Sequence, residues 1–143
     1  MVQFYVINPS SLCIEITETV MMDDAENRMS ILNQFRKLGF IVEMDDFGSG
    51  YSSLNLLKDM PVDVLKIDMI FLGKTSDKQK AKTIVKNIIN LSKELGIAAL
   101  TEGVETQKQF ETLSEMGCKL FQGYYFAKPM PVQEFEQFAG ITN

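Results

Sequence analysis

The sequence predicts an α/β chain built on a parallel sheet covered by helices, and three observations carry that expectation. Short apolar runs alternate with longer stretches whose apolar residues recur at helical spacing. The short runs are strings of apolar residues rather than clean polar and apolar alternations, as strands covered on both faces require. Three of the helical stretches end at a glycine that leads directly into the next apolar run, a helix-to-strand junction repeated in series.

Each element has its own justification. A first strand is expected at 12–16, where Leu12, Cys13, Ile14 and Ile16 enclose Glu15. Over 24–38, Ile31, Leu32, Phe35 and Leu38 mark a helix face, and Gly39 follows at the left-handed C′ position. A strand over 40–44 comes next, and Pro61 sets off another at 62–67. The stretch 77–95 places Ala81, Ile84, Val85, Ile88 and Leu91 on one side and closes at Gly96, ahead of a strand at 97–100. A helix over 106–116 presents Phe110, Leu113 and Met116, closes at Gly117 and leads to a strand at 119–121. The sum is about five βα units.

The 143 residues allow one domain of ordinary size, and 45% hydrophobic with 23% charged residues is a globular balance. Fourteen Lys and Arg against nineteen Asp and Glu leave a net charge of −5, which argues against a nucleic-acid polymer as partner. The absence of histidine removes Ser-His-Asp and Cys-His nucleophiles, imidazole-ligated metals and imidazole proton shuttles. Any acid and base work therefore falls to carboxylates and lysine. Cys13 and Cys118 sit in apolar runs and read as reduced core thiols of a cytoplasmic protein. No apolar run reaches a bilayer span, and Met1-Val2-Gln3-Phe4 lacks the basic region of a signal peptide; a tether through a neighbouring segment stays open.

Polar residues gather where the strands end. Glu15 lies in the first strand and Glu18 just past it; Asp45 and Asp46 close the second ahead of Phe47-Gly48-Ser49-Gly50. Lys66 and Asp68, two apart, share one strand face. Glu102 and Glu105 follow the fourth strand, and Gln122 the fifth. Carboxyl ends of parallel strands are where α/β folds place ligands. Taken singly, each has a plain alternative: turn chemistry for Asp45-Asp46, a buried ion pair for Lys66 and Asp68, helix capping for Glu102 to Glu105, backbone satisfaction for Gln122. Taken together they would strand several charges unless a cation collects them. Hard oxygen donors without thiolate or imidazole suit Mg²⁺ or Mn²⁺, and adjacent Asp45 and Asp46 suit a paired-metal site for phosphoryl chemistry. Glu43 shares the Asp45 face as an auxiliary hydrogen-bonding group, or as a solvated or lysine-paired one, and Tyr124, Tyr125 and Phe126 either stack a base or pack the core. The methionines, Met21, Met22, Met29 and Met116 among them, read as core filler.

The ordered set Glu15-Ile16-Thr17-Glu18, Asp45 to Ser53, Lys66-Ile67-Asp68, Glu102-Gly103-Val104-Glu105 and Gln122-Gly123-Tyr124 resembles the EAL domain, the bacterial cyclic di-GMP phosphodiesterase family, from about Leu12 to Phe138. The resemblance implies a (β/α) barrel of TIM type, two divalent metals, Mg²⁺ or Mn²⁺, and hydrolysis of cyclic di-GMP to linear pGpG by in-line attack of water. It implies that Glu15 and Asp45 ligate one metal, that Asp45 bridges to a second held also by Asp46, and that Glu102 supports the pair. Lys66 resembles the base or water-orienting group; Asp68, Glu105 and Gln122 match the metal-water network or substrate pocket; Glu18 looks like the anchor of the loop from Phe47 to Ser53.

Neither the family's Glu-Ala-Leu tripeptide nor its metal-binding asparagine occurs here. An eight-unit barrel takes roughly 250 residues, so the expectation is one partial domain over 1–143, its C-terminal five units, with the first strands missing. Open strand edges then lead us to expect a homodimer, weak or absent turnover by the chain itself, and a parent protein carrying GGDEF or sensory domains. Two rival readings are a non-catalytic module that binds cyclic di-GMP or a protein, and a lysine-dependent aldolase, which leaves the carboxylates unexplained.

Overall fold

A computed structural model describes residues 7–17, 19–20, 24–47, 54–69 and 77–141. After a 3₁₀ turn at Pro9–Ser11, five strands follow: β1 Cys13–Thr17, β2 Ile41–Asp45, β3 Val64–Asp68, β4 Ala98–Glu102 and β5 Leu120–Phe121. The helices are α1 Ala25–Lys37, α2 Leu54–Asp59, α3 Lys78–Glu94, α4 Gln107–Glu115 and α5 Val132–Phe138. All the pairings are parallel, and the strands lie side by side in sequence order. Sequential order means that each crossover steps the same way, the winding of a barrel wall rather than of a doubly wound sheet.

The expected strands and the three long helices are present, with boundaries shifted by one or two residues. Gly39, Gly96 and Gly117 take φ of +91°, +74° and +95°, so each ends its helix in the left-handed conformation that a side chain disfavours. The two short helices, α2 and α5, carry no apolar period long enough to predict them. α5 does carry a start signal, Pro131 ahead of Val132, but only seven residues follow.

One sheet face carries the core. Leu32, Val42, Met44, Phe47, Leu57, Met60, Val62, Leu65 and Ile97 form one buried cluster. Ile67, Met69, Val85, Ile89, Val104, Leu113 and Cys118 form another. Alternation along the strands sends Val42, Met44, Leu65 and Ile67 to this face and Glu15, Glu43, Asp45, Lys66 and Glu102 to the opposite one. Only β3 is buried along nearly its whole length. β1 and β4 are partly exposed, which corrects the expectation of strands covered on both faces; on the face opposite the core, Val64 and Lys66 of β3 are buried while Cys13 and Ala98 near its edges are exposed. Cys118 is a buried free thiol as expected, whereas Cys13, on the open face of outermost β1, is exposed. Ile31, Leu38 and Ile84, assigned to helix core faces, are also exposed.

Asp63 ties together the end of the sheet remote from the polar rim. Its Oδ1 accepts from Arg36 Nε at 3.0 Å, its Oδ2 from the Val42 N–H at 3.0 Å, and its carbonyl from the Ala98 N–H at 2.9 Å. One residue thereby links α1, β2 and β4 ahead of β3.

Candidate functional site

The rim is assembled by register. Thr17 stands beside Asp45, and Asp68 beside Glu102, so the carboxyl ends of neighbouring strands arrive level. Lys66, 4% exposed, sits at the centre of the inner face. Its ammonium lies 2.9 Å from Asp45 Oδ1, 3.2 Å from Glu102 Oε2 and 3.2 Å from Glu15 Oε1. Burial alone would lower the proton affinity of Lys66, but its hydrogen bonds to Asp45, Glu102 and Glu15 prevail and raise it above the ordinary lysine value. Glu102 is shifted upward by burial and by the nearby charges of Asp45 and Asp68, with Lys66 opposing.

Asp46 reaches the same place by a backbone device. Successive strand residues point to opposite faces, yet Asp46 takes φ +56°, a left-handed conformation that aspartate tolerates better than most residues. Its N–H donates to Asp45 Oδ1 at 3.1 Å. Carboxylate oxygens of Asp45, Asp46 and Glu102 consequently lie within 4.8 Å of one another. The next residue, Phe47, is buried in the core and its N–H donates to the Lys66 carbonyl at 3.3 Å, which fixes the exit from β2. Three carboxylates, those of Glu15, Asp45 and Glu102, thus contact one ammonium, and that of Asp46 joins Asp45 and Glu102 beside it. That surplus of hard anionic oxygen is a fit for a divalent ion of the Mg²⁺ or Mn²⁺ type.

The remaining sequence-derived residues are distributed as follows. Glu15 joins through Lys66 rather than within the tight triplet, and its side chain is 55% exposed. Glu105 is exposed and outside the triplet, its N–H bonded to Gln109 Oε1 at 2.9 Å. Capping of α4 falls to Thr106 and Gln109, a reciprocal box that the Thr-x-x-Gln spacing could have revealed. Gln122 stands one strand over from Glu102 and lines, with Tyr124, Lys128 and Phe135, a groove of about 480 Å³. Tyr125 and Phe126 pack on Phe110 with ring centroids 5.8 and 5.7 Å apart, while Tyr124 stands outward beneath Lys128. Met29 and Met116 pack at the edges of the two core clusters. Glu18, Met21, Met22 and the loop 48–53 lie outside the described residues.

Comparison with known proteins follows the same lines. The chain is 39% identical over 127 residues to the cyclic di-GMP phosphodiesterase RocR of Pseudomonas aeruginosa, covering 89% of this chain and 32% of RocR. The structure of the P. aeruginosa MucR phosphodiesterase in complex with cyclic di-GMP superposes with a TM-score of 0.85 at 37% identity, covering 94% of this chain and 54% of that one. A manganese and cyclic di-GMP complex of Klebsiella pneumoniae BlrP1 superposes with a TM-score of 0.81 at 31% identity, covering 89% of this chain and 32% of that one. The chain thus spans about a third of RocR and about half of the MucR structure. A family model described as the EAL domain matches residues 1–129, and the chain accordingly belongs to the EAL domain family, whose TIM-type barrel its five parallel strands share.

Proposed function

We propose that this chain forms the metal-directed wall of a cytoplasmic cyclic di-GMP phosphodiesterase that opens one phosphodiester bond to give linear pGpG. The observation that carries the proposal is the meeting of Asp45, Asp46 and Glu102 within 4.8 Å, beside an ammonium shared by Glu15, Asp45 and Glu102. Bound there, Mg²⁺ or Mn²⁺ would polarise a phosphate oxygen and supply hydroxide near neutral pH without any histidine. Asp45 and Asp46, brought together by the left-handed backbone at Asp46, would hold the metal ions, with Glu15 and Glu102 completing the donors. Lys66 neutralises and aligns three of these carboxylates. It would accept a proton only where bound cations drew those carboxylates away, because in their company it stays protonated. Asp68, Glu105 and Gln122 serve the water network or the substrate pocket.

The relatives support this reading: RocR is a named cyclic di-GMP phosphodiesterase, MucR and BlrP1 are solved with cyclic di-GMP, and BlrP1 with manganese. MucR is a bifunctional diguanylate cyclase and phosphodiesterase, and we propose a parent protein with a GGDEF or sensory partner domain here too. No described helix is long and apolar enough to cross a membrane. We also propose that a second copy pairs with the open strand edges or exchanges elements with this one, giving a homodimer; a single monomeric species in light scattering at tens of micromolar would contradict that.

The function is tested by calorimetric titration of the chain and of Asp45→Asn, first with Mn²⁺ and then with cyclic di-GMP, with chromatographic detection of pGpG. Loss of a ligand is expected to weaken Mn²⁺ binding by at least about tenfold, since even changes to supporting residues cost ~10–100-fold. Equal Mn²⁺ affinity in Asp45→Asn would sink the proposal; cyclic di-GMP binding independent of metal would favour a non-catalytic binding module.

A further inference from the structure

Glu102 and Gln122 lie just past a short junction. β4 and β5 share two register pairs, Leu100 with Leu120 and Thr101 with Phe121, and both strands end within a residue of those pairs. Main-chain bonds continue beyond the strands all the same. The Gln122 N–H donates to the Thr101 carbonyl at 2.9 Å, the Val104 N–H to the Gln122 carbonyl at 3.1 Å, and the Tyr125 N–H to the Val104 carbonyl at 2.9 Å. At the centre of this exchange the backbones of Gly123 and Val104 cross. A Cβ on Gly123 would lie 2.7 Å from the Val104 carbonyl carbon and nearer still to its oxygen and nitrogen, so no side chain fits there. Val104 has no room to retreat, because its side chain is fully buried in the cluster with Ile67, Val85, Leu113 and Cys118.

We infer that Gly123 is a positioning residue of the metal-directed site: its missing side chain lets the segment after β5 lock onto Val104, which sets the place of Glu102 and Gln122. The inference rests on the proposed metal site and extends it to a residue that brings no side chain of its own to that site. A methyl group at 123 must push the two segments apart. Val104 is two residues from Glu102, and Gly123 is next to Gln122, so the displacement falls on both.

The test is Mn²⁺ titration of the 143-residue chain, followed by electron paramagnetic resonance, for wild type, Gly123→Ala and Gly117→Ala. Gly117 lies before β5, takes φ +95° and would place a Cβ with nothing within 4 Å, so its alanine variant carries backbone strain without the collision. Gly123→Ala is expected to weaken Mn²⁺ binding ~10–100-fold, the range for residues that orient ligands, while Gly117→Ala lowers the unfolding temperature and leaves Mn²⁺ affinity unchanged. Equal Mn²⁺ affinity in Gly123→Ala and wild type, or an equal loss in both variants, overturns the inference. If Gly123→Ala does not fold, amide hydrogen exchange on the wild type decides. Coupling between metal and crossing is reciprocal, so saturation with Mn²⁺ must slow exchange at Val104 and Tyr125, and unchanged exchange overturns the inference. A wild-type chain that binds no Mn²⁺ defeats the metal reading itself, and this inference with it, before any variant is compared.

Discussion

Replacing Lys66 by methionine removes the cation that, among the described residues, faces Glu15, Asp45 and Glu102, while keeping most of the side-chain volume. Its Nζ lies 2.9 to 3.2 Å from three carboxylate oxygens and is almost fully buried, so the variant leaves acids facing one another across the vacated position. Breaking a buried ion pair from one side costs about 3–5 kcal/mol. The exposed carboxylate of Glu15 can turn to water, which places the expected loss near the lower end, ~3 kcal/mol. For a chain of this size that is roughly 6–12 °C in unfolding temperature. The sign of the pH dependence follows. In wild type the raised proton affinity of Lys66 stabilises the fold fully below the ordinary lysine value, ~10.4, and is lost as pH climbs through the raised value. In Lys66→Met the acids face one another without their counter-charge, so stability rises as pH falls and protonation relieves their repulsion. Mn²⁺ should restore much of the loss at neutral pH by replacing the missing charge. Urea unfolding at acidic and neutral pH, with and without Mn²⁺, measures all three effects. A variant as stable as wild type at pH 7, or equally destabilised at every pH, would refute the charge argument.

Other positions separate stability from the site. Leu113→Ala empties a fully buried position beside Val85 and Val104 and should cost ~2–5 kcal/mol by chemical denaturation. Asp63→Ala leaves the Val42 N–H and Arg36 without their acceptor and should cost about 1–3 kcal/mol, with Mn²⁺ affinity unchanged because Asp63 lies at the opposite end of β3 from the rim. Thr106→Ala breaks the reciprocal cap of α4, in which Thr106 Oγ1 accepts from the Gln109 N–H at 3.3 Å, and should lower stability by ~1 kcal/mol in the same assay.

What local chemistry dictates was legible in the chain itself. Helices of thirteen, seventeen and nine residues show their apolar period and their closing glycines within a single stretch of sequence, so α1, α3 and α4 could be placed without tertiary information. Strand ends rich in Asp, Glu, Lys and Gln likewise marked one rim as the place of chemistry. α2 and α5, of six and seven residues, are too short for a period to stand out.

Contacts between distant residues depended on the assembled sheet. Lys66 meets Glu15 across 51 positions of sequence, which only the side-by-side order of β1, β2 and β3 brings within 3.2 Å. The turn that swings Asp46 toward Asp45 is a single left-handed φ with no pattern of its own in the sequence, and the exposure of Cys13 follows from its place on outermost β1 rather than from its apolar neighbours. The amino-acid order determined which residues carry charge and where each element turns. The tertiary structure decided which of those charges face each other, because pairing register and crossover direction are properties of the sheet as a whole.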